Sequence, residues 1–163
     1  MITEPIFATK PSFRIIGIER YTENGISSIR EAWDELGART NQIPNAVTPE
    51  ISIGFEDYSR DLVMKPGEFP KYYYLASREV TDLTNIPSEM KGREVPEAHY
   101  AIFTYRGALN VLADFFAQIY GEWMPKSNCK MDPKLSFDFE RYPLPITDPS
   151  NILVEIHIPI VAK

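Results

Sequence analysis

Two glutamates near the C-terminus stand where a strand would ordinarily carry a neutral residue. Glu140 lies in Leu135-Ser136-Phe137-Asp138-Phe139-Glu140-Arg141-Tyr142-Pro143, and Glu155 lies in Val154-Glu155-Ile156-His157-Ile158-Pro159-Ile160. Both segments alternate, the period-2 signature of strands with one buried face. A tight, proline-rich connection joins them, so the strands are expected to pair and to bring Glu140 and Glu155 near each other. Carboxylates among aromatics suit a pocket for a cation or a polarised apolar molecule. Desolvation raises the pKa of such an acid, and an arriving cation favours its ionised form in a low-dielectric site.

Alternation ranks the two acids. Val154, Ile156 and Ile158 share one face, expected against helices, while Leu153, Glu155 and His157 share the other. Glu155 is the leading candidate if a cleft covers that second face; otherwise it is part of a wet strand surface. Glu140 shares a face with Asp138 and Tyr142. A surface salt bridge worth ~0–1 kcal/mol accounts for it equally well.

The walls would come from nine Tyr, nine Phe and two Trp. Most of these are core, but a buried Tyr hydroxyl needs a partner. Trp123, Phe103, Tyr105 and Tyr142 are the candidate cleft residues, since aromatic faces attract cations by ~0.5–2 kcal/mol each. Other chemistries lack their residues. His99 and His157 are the only histidines, with no ligand spacing for a metal. There is no Gly-rich phosphate loop and no GxSxG motif. Cys129 is the single cysteine and has no base beside it in sequence, so it reads as filler. No metal and no cofactor are expected.

The elements that would position these residues fall into two similar runs. Residues 12–20 (SFRIIGIER) read as a strand. A helix follows, capped by Ser27 or Ser28, with Ile29, Ala32, Trp33 and Leu36 on its buried stripe and Gly37 as its stop. Residues 50–55 (EISIGF) and 71–80 (KYYYLASREV) are the next strands, and residues 82–96 read as a long polar connection. The order then restarts: strand 99–105, a helix over 109–120 stopped by Gly121, a loop holding Trp123, and the two closing strands. Two βαββ units, about residues 11–81 and 97–161, most simply join into one antiparallel sheet with both helices on one face. The fold class is α+β, in a single domain of 163 residues.

Composition bounds the function. The net charge is −6, with 17 basic and 23 acidic residues and no basic cluster. A nucleic-acid footprint is therefore not expected. No apolar run approaches the ~20 residues of a membrane span, and the first residues do not resemble a signal peptide. With a lone cysteine, the expected location is the cytoplasm.

The ordered set His99-Tyr100-Ala101-Ile102-Phe103-Thr104-Tyr105-Arg106-Gly107, Ile119-Tyr120-Gly121-Glu122-Trp123-Met124-Pro125, Phe139-Glu140-Arg141-Tyr142 and Val154-Glu155-Ile156-His157-Ile158-Pro159-Ile160 resembles the GyrI-like small-molecule-binding family. That family includes the effector-binding domains of AraC-type and MerR-type bacterial transcription regulators. The likeness covers residues 98–160 well and the first half more loosely. It implies a duplicated βαββ fold with a ligand cleft between the repeats, lined by aromatics, in which a glutamate meets cationic lipophilic ligands. Glu155 matches that glutamate best, Glu140 is second, and Trp123 matches the family's Trp after the second helix. The chain starts almost at its first strand, so no DNA-binding domain is expected. The expected function is stand-alone binding of a lipophilic, cationic or aromatic small molecule. One alternative shares these residues: hydrolysis of a cyclopropane-bearing or related electrophilic toxin with Glu155 activating water. Another is a protein-interaction module whose aromatics form a surface patch on the Tyr72–Tyr74 strand, acting on a partner such as a topoisomerase. The enzyme question stays open, leaning towards binding.

Overall fold

A computed structural model describes residues 2–143 and 147–163; part of the proline-rich connection before the last strand lies outside them. The strands are β1 (Ile6–Lys10), β2 (Phe13–Tyr21), β3 (Ile51–Asp57), β4 (Tyr73–Val80), β5 (Lys91–Val95), β6 (Ala98–Gly107), β7 (Cys129–Met131), β8 (Phe137–Pro143) and β9 (Ile152–Ala162). They form one sheet in the order β1-β6-β9-β8-β3-β4-β2-β5, with β7 attached to β9. Every pairing is antiparallel. The two units β2-β3-β4 and β6-β8-β9 meet at the β3–β8 pair, which lies at the sheet centre.

The first helix, α1 (Ile26–Arg39), buries Ser28, Ala32 and Leu36. No side chain caps it in the usual way. Instead Asn24 N–H donates to Ser28 Oγ at 3.0 Å, and Gly25 turns the chain at φ 62°. Gly37 does not stop the helix. It is exposed, with open space where a Cβ would sit, so it costs only helix propensity. The second helical region is a 3₁₀ turn (Leu109–Val111), α2 (Leu112–Gln118), a π-helical turn (Ile119–Trp123) and α3 (Met124–Lys126). It runs through Gly121 for the same reason, so Trp123 and Met124 are helical rather than in a loop. The short edge strands β1 and β5, absent from the expected pattern, extend the sheet at both ends. No helix among the described residues is long and apolar enough to cross a membrane.

Both helices pack on one face. Ile16, Ile18, Tyr74 and Ala76 form a core with Ala32 and Leu36 of α1. Phe103, Val154, Ile156 and Ile158 form another with Leu112 and Ile119 of the second helical region. The opposite face is not free to bind. Phe13, Ile15, Phe55, Leu75, Tyr100, Phe137 and Phe139 pack there into a third core made of strand residues. The rings of Phe13 on β2 and Phe139 on β8 are 5.4 Å apart although two strands separate them in the sheet. At roughly 4.8 Å per strand a flat sheet would hold them about 14 Å apart, so the sheet curls around this core. His157 joins it, stacked on Phe139 at 4.4 Å. Burial holds its imidazole well below the ordinary range, at about 4, helped by the charges of Lys10 and Arg141.

Phe139 touches Phe13, Tyr100 and His157 and is fully buried. Phe139→Ala is expected to cost about 3–5 kcal/mol, read as a lower denaturant midpoint with an unchanged slope.

Candidate functional site

The two central strands place acids on the helix-bearing face. On β3, Ser52, Gly54 and Glu56 point to that face while Ile53 and Phe55 point into the curled core; on β8, Asp138, Glu140 and Tyr142 do the same against Phe137 and Phe139. Glu56 is the register partner of Asp138, and Gly54 that of Glu140. The result is three carboxyl groups, at 4%, 0% and 6% exposure, in the strip left between the two helices. None of them forms an ion pair among the described residues.

Phenols take the place of cations. Tyr58 lies 2.9 Å from Glu56 Oε2 and 3.0 Å from Asp138 Oδ2, and its one hydrogen can serve either oxygen. Tyr120, from the π turn, donates to Asp138 Oδ2 at 2.5 Å. Tyr142 donates to Glu140 Oε2, and Tyr74 donates to the same oxygen at 3.3 Å. Trp33 of α1 donates its indole N–H to Tyr74 Oη at 3.0 Å and sets its ring edge-on to Tyr142. Tyr72 packs edge-on to Tyr58, and Phe69 stacks on Tyr72, carrying the aromatic wall towards the surface. Gly54 is the position that must lack a side chain. A Cβ there would sit 2.1 Å from the Tyr74 hydroxyl and 3.2 Å from Glu140 Oε2.

Taking three acids out of water without a cation disfavours their charge. Burial, then the charges of Asp138 and Glu140, pushes the Glu56 carboxyl well above the carboxylate range. Burial raises Asp138 to about 7, against hydrogen bonds from Tyr120 and Tyr58 that pull it down. Tyr58, Tyr72, Tyr74, Tyr120 and Tyr142 are all pushed up by burial and the neighbouring acids, so they remain protonated donors. Two acceptors, Glu56 Oε1 and Asp138 Oδ1, are buried with no hydrogen-bond partner. Among the described residues no three His, Cys, Asp or Glu side chains are arranged to hold a metal ion.

Of the residues singled out in the sequence, Glu140 and Tyr142 stand inside this cluster. Phe103, Tyr105 and Trp123 lie in the neighbouring core under α2: Trp123 meets Phe103 edge-on at 5.0 Å, and Tyr105 packs on Phe115. Glu155 stands elsewhere. β8 and β9 do pair, but Glu140 faces Ile156 and Arg141 faces Glu155, so the two glutamates point to opposite sides of the sheet. Glu155 is 41% exposed and lies 3.6 Å from Arg141. Among the described residues, the sheet curls that face onto an aromatic core.

Sequence reasoning missed Glu56, whose strand runs two residues beyond the expected end at Phe55. It also left Tyr58, Tyr74, Tyr120 and Trp33 without a polar role. The legible signal was the small or polar row Ser52, Gly54, Glu56 set against Ile53 and Phe55, the same alternation that marked β8.

A duplicated βαββ sheet with two flanking helices is an α+β fold, and the sequence places it among effector-binding proteins. The chain belongs to the family of integron-associated effector binding proteins (Cass2), whose sequence profile matches residues 7–160. This agrees with the GyrI-like resemblance of its motifs. The transcriptional regulator BrlR of Pseudomonas aeruginosa is 29% identical over 154 residues, which are 93% of this chain and 53% of BrlR. The chain thus spans about half the length of that relative. Among solved structures, the C-terminal domain of EcmrR superposes with a TM-score of 0.76 over 100% of both chains at 12% identity. SAV2435, solved bound to tetraphenylphosphonium, superposes with a TM-score of 0.73 over 98% of this chain and 94% of its own at 16% identity. At such identities the likeness is one of fold.

The titrations give this site a stability signature. The folded pKa of Asp138, about 7, lies above its unfolded value of about 3.9. Its favourable contribution is complete below pH ~3.9 and is lost as pH rises through ~7. His157 acts in the opposite sense, destabilising as pH falls from ~6.5 towards about 4, so the variant-minus-wild-type difference is the quantity to read. Asp138→Asn is expected to raise Tm at pH 8 by about 5–10 °C, a gain that vanishes near pH 4. A pH-independent difference would exclude a buried charge at Asp138.

Proposed function

We propose that this domain binds a lipophilic cation between its two helices, with Glu56, Asp138 and Glu140 as the electrostatic anchor and Trp33, Tyr58, Tyr72, Tyr74, Tyr120 and Tyr142 as the walls. The carrying observation is three buried carboxyl groups that no ion pair neutralises among the described residues. Such a set is costly in the free protein and becomes favourable when a cation supplies the missing charge. The phenols hold the acids in place while their rings offer π faces and apolar area to an aromatic or alkyl ligand. The reading agrees with family membership and with the tetraphenylphosphonium bound to SAV2435, a protein of the same fold. Binding would be the whole of the activity: the acids are buried and hydrogen-bonded by phenols rather than presented to a water. Trp123, Phe103 and Tyr105 support the α2 side of the site from the core behind it.

Titration with tetraphenylphosphonium, followed through tryptophan fluorescence, tests this. Saturable binding is expected. Glu140→Gln should weaken it at least about tenfold, since one of the three acids of the buried anchor is lost. Glu155→Gln should leave the affinity within about twofold, because an exposed, paired acid contributes little. Equal losses in the two variants would remove the anchor from the buried strip.

A further inference from the structure

We infer that the preferred ligand of this site carries its charge on N–H donors, as a protonated amine, amidine or guanidine does, and that these donors engage the unpartnered oxygens Glu56 Oε1 and Asp138 Oδ1. The inference rests on the cation-binding reading above and narrows the ligand class within it. A quaternary cation such as a phosphonium satisfies charge alone; the arrangement of the acceptors asks for more.

Tyr58, Tyr74, Tyr120 and Tyr142 each bring one hydroxyl hydrogen to three carboxyl groups with six oxygens, and Tyr72 is a further donor towards Glu56. The first four hydroxyls lie against Glu56 Oε2, Asp138 Oδ2 or Glu140 Oε2. The indole N–H of Trp33 is used by Tyr74. Glu56 and Asp138 are register partners across the β3–β8 pair and share the single hydrogen of Tyr58. Their other oxygens, Oε1 and Oδ1, belong to side chains 4% and 0% exposed and have no partner. An unsatisfied buried acceptor costs about 1–3 kcal/mol, more when charged. Two such acceptors on register-paired residues of β3 and β8 can take two hydrogens from one nitrogen, or one from each nitrogen of an amidinium.

In the free protein, protons take the place of the ligand. The titratable groups around the pair are Glu140 and Tyr142 on β8, Tyr72 and Tyr74 at β4, Tyr58 after β3 and Tyr120 from the π turn. Burial and the mutual repulsion of the acids keep Glu56 well up and Asp138 at about 7. A bound N–H cation ionises the pair, and the displaced proton passes to solvent. Affinity therefore falls as the pH drops below about 7, where the cation competes with that proton.

The test compares 1-naphthylmethylammonium with its N,N,N-trimethyl form by calorimetry at pH 7, in two buffers of different ionisation enthalpy. The pair shares ring and charge and differs in N–H donors. Without acceptors waiting, the trimethyl form should win, since its charge is cheaper to desolvate. We expect the primary ammonium to bind at least about tenfold tighter and to release at least about half a proton, the share that Asp138 holds at pH 7, plus what Glu56 holds. Asp138→Asn and Glu56→Gln, each verified as folded by thermal melting, should erase most of that preference. Binding of both probes with equal affinity, weakened in both by Glu140→Gln, would overturn this inference and leave the cation-binding reading standing. Failure of both probes and of tetraphenylphosphonium to bind would overturn the two together.

Discussion

Three acids share a dry strip on two central strands, and the rest of the domain is arranged around the cost of keeping them there. Glu56, Asp138 and Glu140 meet one another and a set of phenols, with no ion pair among the described residues. Charge in such a place is expensive, so the site responds by holding protons and by spending nearly every nearby hydroxyl as a donor. A site built this way is costly to deprotonate.

The two halves of the fold make the strip possible. β3 and β8 lie at the junction of the repeats, where neither helix sits directly over the sheet. The curl of the sheet closes the other face on Phe13, Phe55, Phe137 and Phe139, so the central strands are buried on both sides without needing apolar residues on both. Gly54 leaves space for the Tyr74 hydroxyl and the Glu140 carboxylate over the β3 backbone. The helices contribute one hydrogen-bonding group each, Trp33 from the first and Tyr120 from the second, so a shift of either helix would be felt at the acids.

Much of this was legible in the residues. The period-2 pattern of β2, β4, β6, β8 and β9 and the helical stripe of α1 identified the repeated βαββ order. Alternation in β8 put Asp138, Glu140 and Tyr142 on one face. What alternation could not supply is which side of the sheet carries the site. Glu155 was favoured because Val154, Ile156 and Ile158 turned it away from the helices, and that placement is correct. The face it occupies is nevertheless its own aromatic core with a wet rim, and the acids gather on the helix face instead. Curl is a tertiary property set by packing across the whole sheet, with no local signature. Tyr120 ends the helix expected over 109–120, but its hydrogen-bond partner lies 18 residues away on another element. The edge strand β5, with Val95 as its one apolar side chain, reads as loop, and β1, though it carries Ile6 and Phe7, is only five residues long.

Glu56 and Asp138 hold protons at a pH where ordinary carboxyl groups have lost them. Carbon-13 NMR of the aspartate and glutamate side-chain carboxyls across pH 3–9, with Asp138→Asn and Glu56→Gln used for assignment, measures this directly. A midpoint near 7 for Asp138, with Glu56 also titrating well above the usual carboxylate range, is the predicted result. Midpoints near 4 for both residues would contradict the account.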